Sequence, residues 1–365
     1  MKVQRIFILV QKEGYSFINQ ATALSLGLSQ IGVLNKVATC SDKFNPREIL
    51  EFNADIVLGI GSWHSYKDFV ATPQKIGVKA VPWIVSDDEI TAFVNEYNQL
   101  KLILTTSQHC QKIFIRDGLN PEIIHILPEA VDPNFWKKIS KSELNSFLKL
   151  ISISNQNLDL PYFFDLNKIK QEKVPILFTT GGDATSKGAQ EVIAALGKID
   201  KEIPWLYLIK IWPSANSFNQ SIQELNLAKK LGILKRIRYL AGEFSATFMR
   251  NLMNCCDIYV APSRTEGFGL PLVEAQLCEK PVVTTKATAT QEIVKENQTG
   301  LMVNYKIIDN QPRADIEELA LALKRLLTNQ KLREELGGKA RSFAIDNFSP
   351  PVIASKLIQI LEKKL

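Results

Sequence analysis

Short apolar runs alternate with helical periodicity along most of the chain. The first run, residues 5–10, passes through a polar turn at Glu13-Gly14-Tyr15-Ser16 into Ile18, Ala21, Leu24 and Leu28. Those four keep the three-to-four spacing of one buried helix face, which stops near Gly32. Further strands are expected over 55–60, 78–85, 102–106 and 123–127. Between 135 and 173 the rhythm fails: lysines, Ser, Asn and the aromatic knot Pro161-Tyr162-Phe163-Phe164 give no clean period, and an interdomain connection with some helix is expected. Alternation resumes with strands over 176–180, 205–211, 236–240, 258–261 and 282–285, and a fresh helix is expected after Pro350-Pro351, carrying Ile353, Leu357, Ile360 and Leu361. Strands alternating with helices are the signature of βαβ units and parallel sheets, so the fold class read here is α/β.

Length changes the picture from one sheet to two. A chain of 365 residues exceeds the roughly 250–300 residues at which single cores stop growing, and the break in rhythm divides it into domains over 1–170 and 171–350. The charge, 44 basic against 38 acidic residues or +6, is spread along the chain without a basic block, so no nucleic-acid partner is expected. A solvated lysine-rich surface is the simplest reading, and lysines of the first domain and of 137–173 would suit peripheral contact with an anionic membrane. No apolar run approaches the ~20 residues of a membrane span, and residues 1–10 read as a first strand, not a secretory leader. Five cysteines without metal or disulfide spacing indicate no zinc site and a reducing, cytoplasmic setting.

Candidate chemistry concentrates in Ile258-Tyr259-Val260-Ala261-Pro262-Ser263-Arg264-Thr265-Glu266-Gly267-Phe268-Gly269-Leu270-Pro271-Leu272-Val273-Glu274. A parallel strand ends near Pro262, and a glycine-bearing turn delivers the chain to a helix with Pro271 in its first turn. That turn lies at the carboxyl edge of a sheet, where open α/β sheets bind ligands. Gly267 and Gly269 permit close backbone approach, and the N–H groups of the helix start suit a phosphate or a row of hydroxyls. Glu266 and Glu274 would repel a phosphate in contact with them, so they suit neutral polyol hydroxyls; a sugar and a ribose joined by phosphates fit the whole pattern. A second element, Thr179-Thr180-Gly181-Gly182-Asp183-Ala184-Thr185-Ser186-Lys187-Gly188, lies between a strand and a helix. Thr185 or Ser186 would cap that helix and leave Lys187 at its positive end. Its spacing is not that of an ATP-binding P-loop.

These residues resemble the retaining glycosyltransferases of family 4, the glycosyl transferases group 1, in which two glutamates separated by seven residues follow a strand ending in Pro-Ser. Here they are Glu266 and Glu274. The resemblance runs on through Glu274-Ala275, Pro281-Val282-Val283, Gln291-Glu292-Ile293-Val294 and Thr299-Gly300-Leu301-Met302-Val303. Lys187-Gly188 match the family's Lys-Gly, but its strand-end arginine is replaced by Gly182, which removes one of two cations for the donor diphosphate. The first half matches less closely: Gly14 lies where the family has a glycine-bearing loop, and 127–135 resembles the stretch closing the first domain. No histidine follows the strand at 81–85, where many members place one; Asp87 or Asp88 stands there, fit either for the acceptor cleft or for capping a helix. His64 is a further cleft candidate, though a histidine beside a tryptophan also suits the scaffold. The glycines missing at 279 and 287–290 mark a divergent member.

The resemblance implies the GT-B fold: two Rossmann-like doubly wound parallel-sheet domains facing across a cleft, with the helix at about 351–365 packing back on the first. It implies a nucleotide diphosphate sugar bound by the second domain, an unidentified acceptor at the first, retention at the anomeric carbon, and neither metal nor separate cofactor. Lys187 and Glu266 would be catalytic; Gly181, Gly182, Gly188, Gly267, Phe268, Gly269, Leu270, Glu274 and Gly14 would line the donor. Two alternatives stand beside transfer: a sugar-nucleotide epimerase of the same fold, and a non-catalytic sugar-nucleotide-binding protein.

Overall fold

The computed structural model describes residues 3–41, 44–155, 170–181, 185–211 and 220–365. They fall into two units: Met1–Asp132 with Ile345–Leu365, and Pro133–Ala344.

The first unit is built on a six-stranded parallel sheet of β1 (Arg5–Val10), β2 (Leu34–Thr39), β3 (Ile56–Gly61), β4 (Lys79–Ile84), β5 (Ile103–Thr105) and β6 (Ile124–Ile126), in the spatial order β2-β1-β3-β4-β5-β6. Strands covered on both faces need near-continuous apolar runs, and β3 is buried at all six of its positions. The edge strand β2, LNKVAT, is mostly exposed; it lacks such a run and is not expected from the sequence pattern. One face of the sheet is covered by helices Tyr15–Gln30 and Pro350–Lys364. Gly27 permits their close approach, since a β-carbon there would lie 2.1 Å from the Pro350 carbonyl oxygen. Ile353, Leu357 and Leu361 are fully buried in this core.

The second unit has its own six-stranded parallel sheet: β7 (Ile176–Thr180), β8 (Leu206–Ile211), β9 (Ile237–Ala241), β10 (Ile258–Val260), β11 (Val282–Thr285) and β12 (Gly300–Val303), ordered β12-β11-β10-β7-β8-β9. An antiparallel hairpin, β13 (Tyr305–Ile308) and β14 (Gln311–Ala314), follows β12 through Asp309 and Asn310, both with positive φ as a tight two-residue turn requires. Helices Ala189–Leu196 and Ile316–Leu327 pack on one face of the sheet.

The division at 132/133 and 344/345 corrects the expected boundaries at 170 and 350. Residues 133–155 belong to the second unit, where groups of residues 137–147 are spent on helix Ala246–Cys255. The Phe147 ring meets Phe248 edge-on at 5.1 Å, Arg250 pairs with Glu143, and Asn254 accepts from the Ile139 N–H at 3.1 Å and donates to the Lys137 carbonyl at 2.9 Å. Helix Lys141–Asn155 is the helical part of the connection; the knot at 161–164 lies outside the described residues. Among the described residues, no helix is long and apolar enough to cross a membrane.

Candidate active site

In the second sheet the strand order reverses between β10 and β7. A doubly wound sheet opens a crevice at such a point because the connections on either side leave in opposite directions. Both loops singled out in the sequence issue from these two strands.

β7 ends at Thr180, and Gly181 turns at φ 102° with the Lys187 side chain lying across it: a β-carbon there would lie 3.1 Å from Lys187 Cγ. Thr185–Lys187 form one tight turn, and helix Ala189–Leu196 begins after Gly188, which caps it without a side-chain hydrogen bond. The expected cap from Thr185 or Ser186 is therefore not made. Gly188 has φ 72°, and a β-carbon there would lie 2.4 Å from the Pro262 carbonyl oxygen, so this position both needs a left-handed backbone and admits no side chain. Gly182 lies outside the described residues.

From the β10 side, the Arg264 N–H donates to the Ser186 carbonyl at 2.6 Å and joins the loops. Lys187 Nζ then donates to Glu266 Oε1 at 2.7 Å, and Ser263 Oγ donates to the same oxygen at 2.8 Å. Glu266 is 7% exposed and anchored, while Lys187 keeps about a fifth of its side chain in solvent. Gly269, at φ 107°, opens helix Leu270–Leu277 with Pro271 in its first turn. A β-carbon there would lie 2.4 Å from Leu272 Cδ1. Gly267 and Leu270 are half-buried at the mouth; the Phe268 ring is buried, so only its backbone can face a ligand.

Glu274 sits one turn into that helix, half-buried, and its carboxylate makes no hydrogen bond or ion pair among the described residues. Burial without a compensating partner pushes its pKa up to about 8. An acceptor held out of water in this way suits hydroxyl donors. The sequence reading passes over Lys210, at the end of β8 beside Thr180 of β7, whose carbonyl takes the Gly181 N–H at 3.1 Å. It is buried, which pulls its pKa down to about 8. The sequence reading also assigns no role to Glu191, Ser263, Arg264 or Arg313. Their signal lay in burial, which no local pattern exposes.

The remaining candidates lie in the first unit. Its strand order reverses between β1 and β3, and Gln11 and His64 follow those strands. Gln11 Oε1 accepts from the Ser62 N–H at 2.8 Å and from the Ser62 and Ser65 hydroxyls, each at 3.1 Å. His64 is exposed, stacked on Trp63 at 3.7 Å, with Nδ1 3.3 Å from Ser62 Oγ. Asp87 is half-buried and Asp88 exposed in the loop after β4. No helix starts there for either to cap, the next beginning at Val94. Gly14 opens helix Tyr15–Gln30 at φ 107°.

Residues 164–343 match the family model described as Glycosyl transferases group 1. Among curated proteins, an alpha-maltose-1-phosphate synthase of Mycolicibacterium smegmatis is 24% identical over 251 residues, covering 67% of this chain and 58% of that protein. An uncharacterized glycosyltransferase of Methanocaldococcus jannaschii is 35% identical over 105 residues, 29% of this chain and 28% of that one. The chain thus spans under two thirds of these relatives' lengths. Among solved structures, the Rickettsia africae glycosyltransferase superposes with a TM-score of 0.73 at 17% identity over 100% of this chain and 99% of that one. Anabaena HepE in complex with UDP superposes at 0.71 and 19% identity, over 99% and 100%. At these identities the likeness is one of fold.

Proposed function

Because residues 164–343 match the glycosyl transferases group 1 model and the chain has the GT-B fold, we propose that it is a retaining glycosyltransferase that moves a sugar from a nucleotide diphosphate sugar to a hydroxyl acceptor. The observation that carries this reading is the Lys187–Glu266 pair across the β7/β10 crevice, with Glu274, unpaired among the described residues, in the helix that follows Glu266.

In the resting site the lysine and glutamate satisfy each other. A bound donor replaces that contact with two: the diphosphate takes the Lys187 ammonium and the sugar hydroxyls take the Glu266 carboxylate. As the glycosidic C–O bond breaks, charge grows on the leaving diphosphate. Lys187 and the amides of the helix start at Leu270 would stabilise it, with the buried Lys210 at the end of the neighbouring strand β8 as a further cation. Lys210 matters because glycine stands at the family's arginine position. Glu266, held by Ser263, fixes the sugar together with the Phe268 and Gly269 backbone, and Glu274 receives the ribose hydroxyls. This charge stabilisation uses lysines and amides, and the reaction is proposed to need no metal ion. The HepE complexes with UDP and UDP-glucose favour a uridine nucleotide as the first donor to try. The setting is proposed as cytoplasmic, in keeping with five free cysteines.

The test is a panel of uridine, guanosine and adenosine diphosphate sugars with mixed sugar acceptors, reading release of nucleoside diphosphate and the anomeric configuration of the product. Release coupled to a product of unchanged configuration is expected, and chelation with EDTA should leave it intact. Isomerisation of the donor without release, binding without turnover, or an inverted product would each overturn the reading.

A further inference from the structure

Beside the Lys187–Glu266 pair lies a second set of charges, in which a buried arginine and a buried glutamate meet a half-buried arginine. Arg264, 2% exposed, reaches Glu191 with both arms: Nε to Oε1 at 3.1 Å and Nη2 to Oε2 at 3.0 Å. Glu191 Oε1 also accepts from Arg313 Nη1 at 3.0 Å. Glu191 is the third residue of helix Ala189–Leu196, four after Lys187; Arg264 stands two before Glu266; Arg313 comes from β14.

Stability does not account for such a cluster. Desolvating a carboxylate and a guanidinium costs about as much as their attraction returns, and apolar residues of similar volume often serve a core equally well. What a forked, two-bond contact adds is orientation: it fixes the guanidinium plane, and with it the backbone on either side. Here the fork ties the Glu266 loop to the helix that follows Lys187, alongside the Arg264-to-Ser186 backbone bond, an Arg264 Nη2 contact to Gln190 Oε1 at 3.3 Å and the Lys187–Glu266 pair itself. A donor that separates Lys187 from Glu266 removes one of those links at the moment when placement matters most.

We propose that Glu191 and Arg264 are positioning residues, a buried clamp that holds the Lys187 and Glu266 loops in register once the nucleotide sugar has parted their side chains. Arg313 ties the β13–β14 hairpin to the same anchor. The catalytic part of this inference rests on the transferase reading above.

Single substitutions would strand a buried charge and confuse placement with stability. The test therefore uses the double variant Glu191→Leu/Arg264→Met in the full chain, with Arg313 free to reach solvent. Its melting temperature should stay near that of the wild type, while hydrogen exchange at amides 185–188 and 263–269 rises by about tenfold or more and exchange in β7 and β10 stays put. The kcat for transfer should fall by about tenfold or more with donor KM changed by less than about threefold, as expected for a misplacement of order 1 Å. Loop exchange and kcat both at wild-type levels would overturn the clamp. Should the double variant not fold, Glu191→Gln/Arg264→Gln, which replaces the charged fork by two neutral amides and strands no buried charge, takes its place with the same criteria. If the wild type transfers no sugar, the transferase reading falls, and the exchange measurement still decides whether the clamp exists.

Discussion

Lys187 and Glu266 compensate each other in the empty site, so deleting either has two effects. Lys187→Ala leaves Glu266 with only the Ser263 hydroxyl; Glu266→Gln keeps the shape and removes the charge. Each should lower kcat for transfer by about 100-fold or more, the scale set by losing one preorganised electrostatic contact in a reaction that develops charge. Circular dichroism should be unchanged, and turnover within a few-fold of wild type in either variant would remove that residue from the catalytic pair. Glu274 makes a different prediction, about pH. Below its ordinary value of 4.5 the carboxyl is protonated in folded and unfolded chain alike. From there to about 8 the folded chain keeps a proton that the unfolded chain has released, so the stability tied to that proton is progressively lost as pH rises through about 8. Glu274→Gln has no such proton to lose. Its melting temperature, relative to the wild type, should climb between about pH 6 and pH 9; a constant difference across that range would show that the carboxyl ionises normally.

At the scale of elements, the strand-turn-helix units around β7 and β10 were legible because their chemistry is local: an apolar run, glycines where the backbone turns left-handed, a proline at the helix start. The β7 and β11 boundaries agree with the sequence expectation to the residue. β2 and the β13–β14 hairpin were not legible, since β2 and β13 are mostly exposed and β14 is a short, partly buried stretch without alternating apolar residues. Glu191 and Arg264 escaped for the converse reason. They are charged residues whose burial follows from how two loops and a hairpin meet, 73 positions apart in the chain. Gly188 shows how strictly that meeting is set. Gly188→Ala places a methyl group 2.4 Å from the Pro262 carbonyl oxygen at a φ of 72°. It should cost about 1–3 kcal/mol in denaturant unfolding and lower transfer more than Gly338→Ala in helix Gln330–Phe348, where a β-carbon meets nothing within 4 Å. Equal effects of the two would show that Gly188 is not a special junction.

For the whole molecule, the telling feature is that the first unit is made from two stretches of chain and the second from one. The last helix supplies Ile353, Leu357 and Leu361 to the core of the first unit and rests on Gly27. Removal of residues 345–365 should therefore abolish the cooperative melting of the first unit and leave that of Pro133–Ala344 in place; two intact transitions in the truncated chain would contradict this. The same arrangement sets an order on biosynthesis. A ribosome completes every residue of the second unit before it makes helix Pro350–Lys364, so that unit can be folded while residues 1–132 still lack part of their core. The first unit's apolar face, waiting for residues 345–365, is then the surface that nascent-chain chaperones would meet, and a chain terminated before residue 345 would have one sound half and one adhesive half.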